Sequence, residues 1–359
     1  MSLPPSGEIP QGAIRFNTDS QKLEFYAQGE WWIMSTDTPN LGTSDDSTPG
    51  PRGVFPGGRS GGPTMTDDMD YINISSTGDA LDFGDLITDS FEAGACSSST
   101  RGVKFGGRVF PGSQYQDNLE AYNFASTGSI ADIEDLRTAT VYSCGASNET
   151  RGLIMGGLIH SSYGGSWSGG WNNIDYITIA SFGESIEFGD LSFDNPGGMN
   201  QANSPTRGIF AGGFAPHNGS PGAPGAPALT TTKIQFVTIP TLGNSQSFGD
   251  LTNLTTYTSG ASNSVRGIYA GNGATPQTTI ESINISSTGN GVKFGDLFSG
   301  KYAMSAVSSP TRVVWGGGNG YVNTIQYVNI ATEGDAVDFG DLTSGRAFQS
   351  GCSNAHGGL

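Results

Sequence analysis

Histidine and cysteine are scarce in this chain of 359 residues, three of each, and their placement argues against most chemistry that depends on them. His160, His217 and His356 show no H-x-H or H-x-x-x-H spacing, so a zinc or copper centre has no support. Cys96, Cys144 and Cys352 each fall in a run of small residues. Counted back from the following arginine, Cys96 and Cys144 differ by two positions, which puts them on one face of a strand. They read as small buried side chains, not as disulfides or metal ligands. Basic residues are also few: Lys and Arg number 16 against 33 Asp and Glu, a formal net charge of -17. That balance argues against nucleic acid, whose phosphates need a cationic face. No apolar run approaches the roughly 18 residues of a membrane span, and residues 1–7 have neither a basic n-region nor an apolar h-region, so no span and no cleaved signal are expected. A P-loop is missing too.

What the chain has in abundance is glycine, 56 residues, about twice the ordinary share of ~7%, together with a repeat. An arginine opening a short apolar run that closes on glycine recurs at Arg52, Arg101, Arg151, Arg207, Arg266 and Arg312, at intervals of about fifty residues. Each is followed by a second mark, FGDL or IEDL, ending at Leu86, Leu136, Leu191, Leu251, Leu297 and Leu342. Between the marks lies an alternating segment such as DYITIAS, and before each arginine except the first lies a small-residue run such as SCGASN. Alternation with β-branched and aromatic residues is the pattern of a half-buried strand. Each repeat therefore reads as four strands: a (small residues), b (the arginine run), c (the alternating run) and d (the FGDL run). Six such units predict an all-β, six-bladed β-propeller with strand a at the crowded axis. Residues 347–354 form an orphan small-residue strand, expected to complete the first blade and close the ring.

The glycine pair ending strand b resembles that of kelch repeats, over residues 52–354, although the outer-strand Trp of that family is replaced by the FGDL mark. The resemblance implies a fold, not an activity. The Tyr, Cys and His set of kelch-type copper oxidases cannot be assembled here, and the Asp box of sialidase blades is missing.

Ahead of the repeats, residues 1–36 read as a hairpin or small meander, with strands at 14–16, 23–26 and 31–34, and residues 37–51 as an extended linker rich in Pro, Gly, Ser and Asp. Gly12, Ile14, Arg15, Phe16, Asn17, Thr18, Asp19, Leu23, Glu24, Tyr26, Gly29 and Trp31 match a pattern, G-x-I-R-[YF]-N-T-D followed by L-E-x-Y, Gly and Trp. This segment resembles a module of tailed-bacteriophage virion proteins. The resemblance implies a virion location and attachment to other virion proteins through Ile14, Arg15, Phe16, Asn17, Leu23, Tyr26 and Trp31. The alternative is a hairpin that caps the repeats or pairs with a copy of itself.

Residues recurring in every repeat, the six arginines and the six aspartates Asp85, Asp135, Asp190, Asp250, Asp296 and Asp341, are expected to form ion pairs or backbone hydrogen bonds at blade corners. Asp67, Asp68 and Asp70 read as a solvated acidic turn, not a calcium loop. Loops between strands b and c break the symmetry, and long loops on a rigid scaffold are where binding resides. The third repeat carries Tyr163, Trp167 and Trp171 there, suited to stacking on a sugar face or anchoring a protein. Tyr115 and His217 are further candidates. The expectation is a non-enzymatic virion protein of 52–359 propeller architecture, without cofactor or metal, binding a host-surface glycan or protein. A decorating or connecting protein that touches only other particle proteins is the alternative, and a glycan-cleaving enzyme has the least support, because no paired carboxylates stand out.

Overall fold

The computed structural model describes residues 9–17, 22–33, 50–111, 114–128, 130–160, 167–170, 172–181, 183–192, 197–198, 200–215, 229–273 and 277–359, without the side chains of Asn17, Leu23, His160 and Trp167 among others. The chain divides into two compact units, Met1–Gly50 and Pro51–Leu359. Among the described residues both are all β, without a helix. Most of the expected linker, residues 37–49, lies outside the described residues.

In the first unit, Ile14–Asn17, Lys22–Ala27 and Glu30–Ile33 form an antiparallel sheet in chain order. Gln28 and Gly29 both take positive φ, 55° and 85°, as a two-residue turn matching the strand twist requires. On one face Arg15 pairs with Glu24 at 2.8 Å and lies 4.1 Å over the Trp31 ring, which meets Tyr26 edge-on. These residues hold the sheet together. Ile14 and Phe16 instead point outward, 62% and 59% exposed, on the face where Phe25 separates Ile14 from Trp32.

The second unit contains six antiparallel sheets that each include four strands in the order a-b-c-d, the fourth sheet adding a fifth strand, Phe214–Ala215, beside its c strand. The b strands are Arg52–Pro56, Arg101–Phe105, Arg151–Met155, Arg207–Ala211, Arg266–Ala270 and Arg312–Gly316. Strand a of sheets two to six is Gly94–Ser97, Cys144–Ser147, Asn200–Asn203, Ser259–Ser262 and Ser305–Ser308. Sheet one takes its strand a from Cys352–Ser353, which pairs with Val54 and Gly53. Asn354 Oδ1 then accepts the Arg52 amide at 2.7 Å, as Asn148 and Asn263 accept those of Arg151 and Arg266 at 2.8 Å. The same turn chemistry thus operates across a chain separation of three hundred residues.

Three kinds of contact join each sheet to the next. The repeated arginines donate through Nη1 to a carbonyl of the following sheet: Arg101 to Ile179, Arg151 to Ile239, Arg207 to Ile285, Arg266 to Ile330, Arg312 back to Ile74, and Arg52 to Phe124. They do not pair with the repeated aspartates, whose side chains lie at or near the surface, Asp250 and Asp296 meeting Lys233 and Lys293. A buried polar residue at a bulge in strand c accepts from the segment after the preceding FGDL: Glu120 from the Ile87 amide, Gln235 from Ser192, Glu281 from Thr252, Gln326 from Phe298 and Asp70 from Thr343. Apolar packing follows the same order, because six buried clusters each draw on two consecutive sheets, including the sixth with the first.

The Arg-Gly step has a steric cause. A Cβ at Gly152 would lie 2.4 Å from Cys96 Sγ, and one at Gly267 2.7 Å from Ala202 Cβ, both on strand a of the neighbouring sheet. The three cysteines are buried and unpaired. Asp70 does not belong to a solvated turn: the bulge between Met69 and Asp70 turns it inward, where it is 1% exposed and 2.8 Å from the fully buried Arg346.

The fourth b-strand position holds a large apolar side chain in most sheets, Phe55, Ile154, Phe210, Tyr269 or Trp315, but Lys104 in the second. Lys104 Nζ is buried 3.5 Å from Glu120 Oε1, an ion pair at a distance too long for a hydrogen bond. Burial lowers the Lys104 pKa, against the pull of Glu120. Lys104→Leu alone leaves a buried unpaired carboxylate and is expected to cost about 3–5 kcal/mol. Adding Glu120→Gln, the residue type found at Gln235 and Gln326, is expected to restore the urea midpoint to wild type or above.

Candidate binding site at the centre of the sheets

The six a strands touch one another in a closed cycle, and the residue entering each of them takes left-handed backbone: Glu92 (φ 62°), Tyr142 (58°), Gly198 (61°), Tyr257 (50°), Ala303 (55°) and Phe348 (60°). They are linked into a collar. Tyr142 N donates to Glu92 O, Gly198 N to Tyr142 O, Ala303 N to Tyr257 O, Phe348 N to Ala303 O and Glu92 N to Phe348 O, all within 2.9–3.0 Å. Five non-glycine residues in this region each carry a conformational cost of about 1–3 kcal/mol, a concentration that marks functional surfaces.

Inside the collar lies a cavity of about 120 Å³ lined by polar and small side chains, among them Asn200, Gln201, Thr258, Ser259, Ser305 and Gln349. At the opposite end the strands close down. Ser147 Oγ donates to Ser97 O, Ser308 Oγ to Ser262 O, Ser353 Oγ to Ser308 O and Ser97 Oγ to Ser353 O, at 2.6–2.9 Å. Residues 354–359 seal that end. His356 accepts the Gly358 amide at Nδ1, which fixes its proton on Nε2, 3.0 Å from Ser97 O.

Aromatic and charged side chains crowd the collar. The Tyr257 ring lies 5.2 Å from Tyr142, 5.2 Å from Phe214 and 5.8 Å from Phe348. Phe91 stacks on Phe110 at 5.4 Å, with the guanidinium groups of Arg59 and Arg108 over the pair. Arg108 donates to Glu92 Oε1 at 2.7 Å and the Tyr142 hydroxyl donates to the same oxygen, while Glu92 Oε2 has no hydrogen-bond partner.

Of the residues expected to bind, Tyr115 reaches this cluster: strand Gln114–Tyr115 pairs with Arg108–Val109, and its ring packs on Val141, Leu158 and Phe214. Burial raises its pKa, with Arg108 opposing and Glu92 adding. The third-repeat loop is led to the collar by its backbone. Trp167–Gly170 pairs with Leu158–His160, which pairs with Thr140 and Val141 beside Tyr142. Tyr163, Trp171 and His217 lie outside the described residues. Sequence reasoning missed Glu92, Tyr142, Tyr257 and His356. The available signal was symmetry: Glu92 is the single charged residue among the six collar positions, and Asn200–Gln201 the single amide pair among the a strands.

Asp67, Asp68 and Asp85 bring carboxylate oxygens within 4.8 Å of one another, at exposed or half-exposed positions away from the collar residues in sequence. Neither a protein-family model nor a curated protein matches the chain.

The buried groups set a pH dependence. Burial pushes the Glu92 carboxyl up from 4.5 to about 7, against Arg108 and Tyr142, and its Oε2 has no hydrogen-bond partner. The folded state keeps a proton that the unfolded chain releases. This contribution is complete below pH 4.5, is lost as pH rises through about 7, and amounts to about 3 kcal/mol. Burial lowers His356 from 6.5 to about 4, so its contribution is present above pH 6.5 and lost as pH falls through about 4. The two slopes oppose each other between pH 4.5 and 6.5. Glu92→Gln is therefore expected to give urea midpoints that climb from pH 4 to 6.5 and then level, where wild type is flat and then declines towards pH 8.

Proposed function

We propose that the six sheets form a closed six-bladed β-propeller, and that the chain is a non-enzymatic component of an external appendage of a tailed-phage particle that binds a host-surface glycan or protein. The cyclic order of arginine, bulge and a-strand contacts supports the propeller. The observation that carries binding is the collar: strained backbone, clustered aromatics and two arginines around a polar cavity, on the side to which the b-to-c loops return. The virion assignment rests on the resemblance of residues 12–31 to a phage structural module. The outward apolar face of Ile14, Phe16 and Trp32 favours a protein contact through that module, with other virion proteins or with copies of itself, whether or not the repeats also bind a host.

The test is binding of the labelled full chain to a panel of intact bacteria. Saturable binding to at least one strain, reduced tenfold or more by Trp167→Ala/Trp171→Ala and by Tyr115→Ala, is expected. Binding to none, by folded protein, refutes host recognition and leaves the particle-architecture reading.

A further inference from the structure

We infer that the central cavity is a binding site for a neutral, hydroxyl-rich end group, such as the terminal unsubstituted sugar of a polysaccharide; this rests on the binding role proposed above and names its ligand class. Four side-chain atoms around the cavity make no hydrogen bond to protein: Asn200 Nδ2, Gln201 Oε1, Thr258 Oγ1 and Gln349 Oε1. Asn200, Thr258 and Gln349 are 3%, 9% and 5% exposed. Buried polar atoms of this kind each cost about 1–3 kcal/mol when unpaired, so a ligand that pairs them recovers that free energy.

The atoms also select the ligand. Asn200 Nδ2 donates, the two glutamine oxygens accept, and the threonine hydroxyl does either. Among the described residues, no charged side chain lines the cavity. An anion would face two carbonyl oxygens and a cation the amide N–H groups, whereas an alcohol hydroxyl donates and accepts together. The amides are not a property of the repeat. At the positions of Asn200 and Gln201 the other a strands carry Gly94 and Ala95, Cys144 and Gly145, Ser259 and Gly260, or Ser305 and Ala306.

The axis between the a strands is also closed beyond the cavity. His356 and the amide of Gly357, 2.8 Å from Ser262 O, fill the far side. A Cβ at Gly358 would stand 1.9 Å from Ser147 O, so only glycine allows this segment to lie so deep. Entry is thus past the collar, where Tyr257 and Tyr142 offer ring faces to the apolar side of a sugar. A cavity of about 120 Å³ holds about four waters, which suits the hydroxyl edge of one residue and excludes an internal stretch of chain.

The experiment is saturation-transfer NMR on the full chain with methyl glycosides of glucose, galactose, rhamnose and N-acetylglucosamine, and with glucuronic acid and glucosamine as charged probes. At least one neutral glycoside is expected to bind, with affinity lost tenfold or more in Gln201→Leu and in Thr258→Val. Both cavity variants remove an unpaired buried polar atom, so they are expected to fold as wild type does, which the urea midpoint verifies. No binding by any neutral glycoside, equal binding of the charged probes, or wild-type affinity in both cavity variants overturns the site. Cell binding that persists in Gln201→Leu and Thr258→Val overturns the site while host recognition stands; glycoside binding without cell binding does the reverse.

Discussion

Truncation of residues 350–359 is expected to abolish cooperative folding of the repeats. The deletion removes strand Cys352–Ser353 from the inner edge of Arg52–Pro56 and the Asn354 cap on the Arg52 amide. It also takes away Ser353 Oγ, 2.6 Å from Ser308 O, and the Ser353 carbonyl that accepts from Ser97 Oγ. Tyr122, which bonds Cys352 Sγ at 2.9 Å, is left buried with an unpaired hydroxyl. At about 1 kcal/mol for each hydrogen bond and more for each buried group left unmatched, the sum reaches about 5 kcal/mol, comparable with the whole stability of many domains. The bare edge of strand b then invites association between chains. Far-UV dichroism with urea titration and size-exclusion chromatography would report loss of a sharp transition together with aggregates. His356→Asn, which disturbs only the sealing segment, is expected to keep the transition. A truncated chain with wild-type midpoint would mean that the first and sixth sheets are not joined through this strand.

Asp70→Ala is expected to be among the most damaging single substitutions of a charged residue. Arg346 is 0% exposed and pairs with Asp70 at 2.8 Å; its Nε and Nη1 atoms have no other hydrogen bond. The same carboxylate accepts the Thr343 amide at 2.9 Å and hydroxyl at 2.7 Å, tying the sixth sheet's d strand to the first sheet's c strand. Removing the carboxylate strands a buried guanidinium and costs about 3–5 kcal/mol. Asp68→Ala is the internal control. Asp68 is half-exposed and 3.9 Å from Arg346, so its loss should stay within about 1 kcal/mol. Urea midpoints of the two variants side by side decide the matter, and similar midpoints would show that Arg346 finds a second partner or water.

The pattern of small, alternating and glycine-punctuated segments made the four strands of each repeat legible, because a period of two and β-branched side chains admit few other readings. The arginine and FGDL marks were legible as structural, but their partners were not. Five of the arginines donate to a carbonyl 64–88 residues ahead and Arg312 to one 238 residues back, and a backbone carbonyl carries no side-chain signature. Asp70 shows the limit more sharply. In DDMD three carboxylates read as solvated, yet a bulge between Met69 and Asp70 shifts the alternation by one residue and turns the last one inward. The candidate binding surface was legible only in part. Tyr115 and the third-repeat loop follow from loop length, whereas Glu92, Tyr142 and Tyr257 precede short strands in unremarkable segments and gain meaning only when the a strands converge.

Hydrogen exchange of the full chain, with and without surface polysaccharide from a bacterial strain that it binds, tests the collar most directly. The account predicts slowed exchange in residues 90–95, 140–145, 200–203, 256–260 and 347–351, with residues 9–33 unchanged. Protection confined to residues 9–33, or none in the collar segments despite saturable binding, would contradict it.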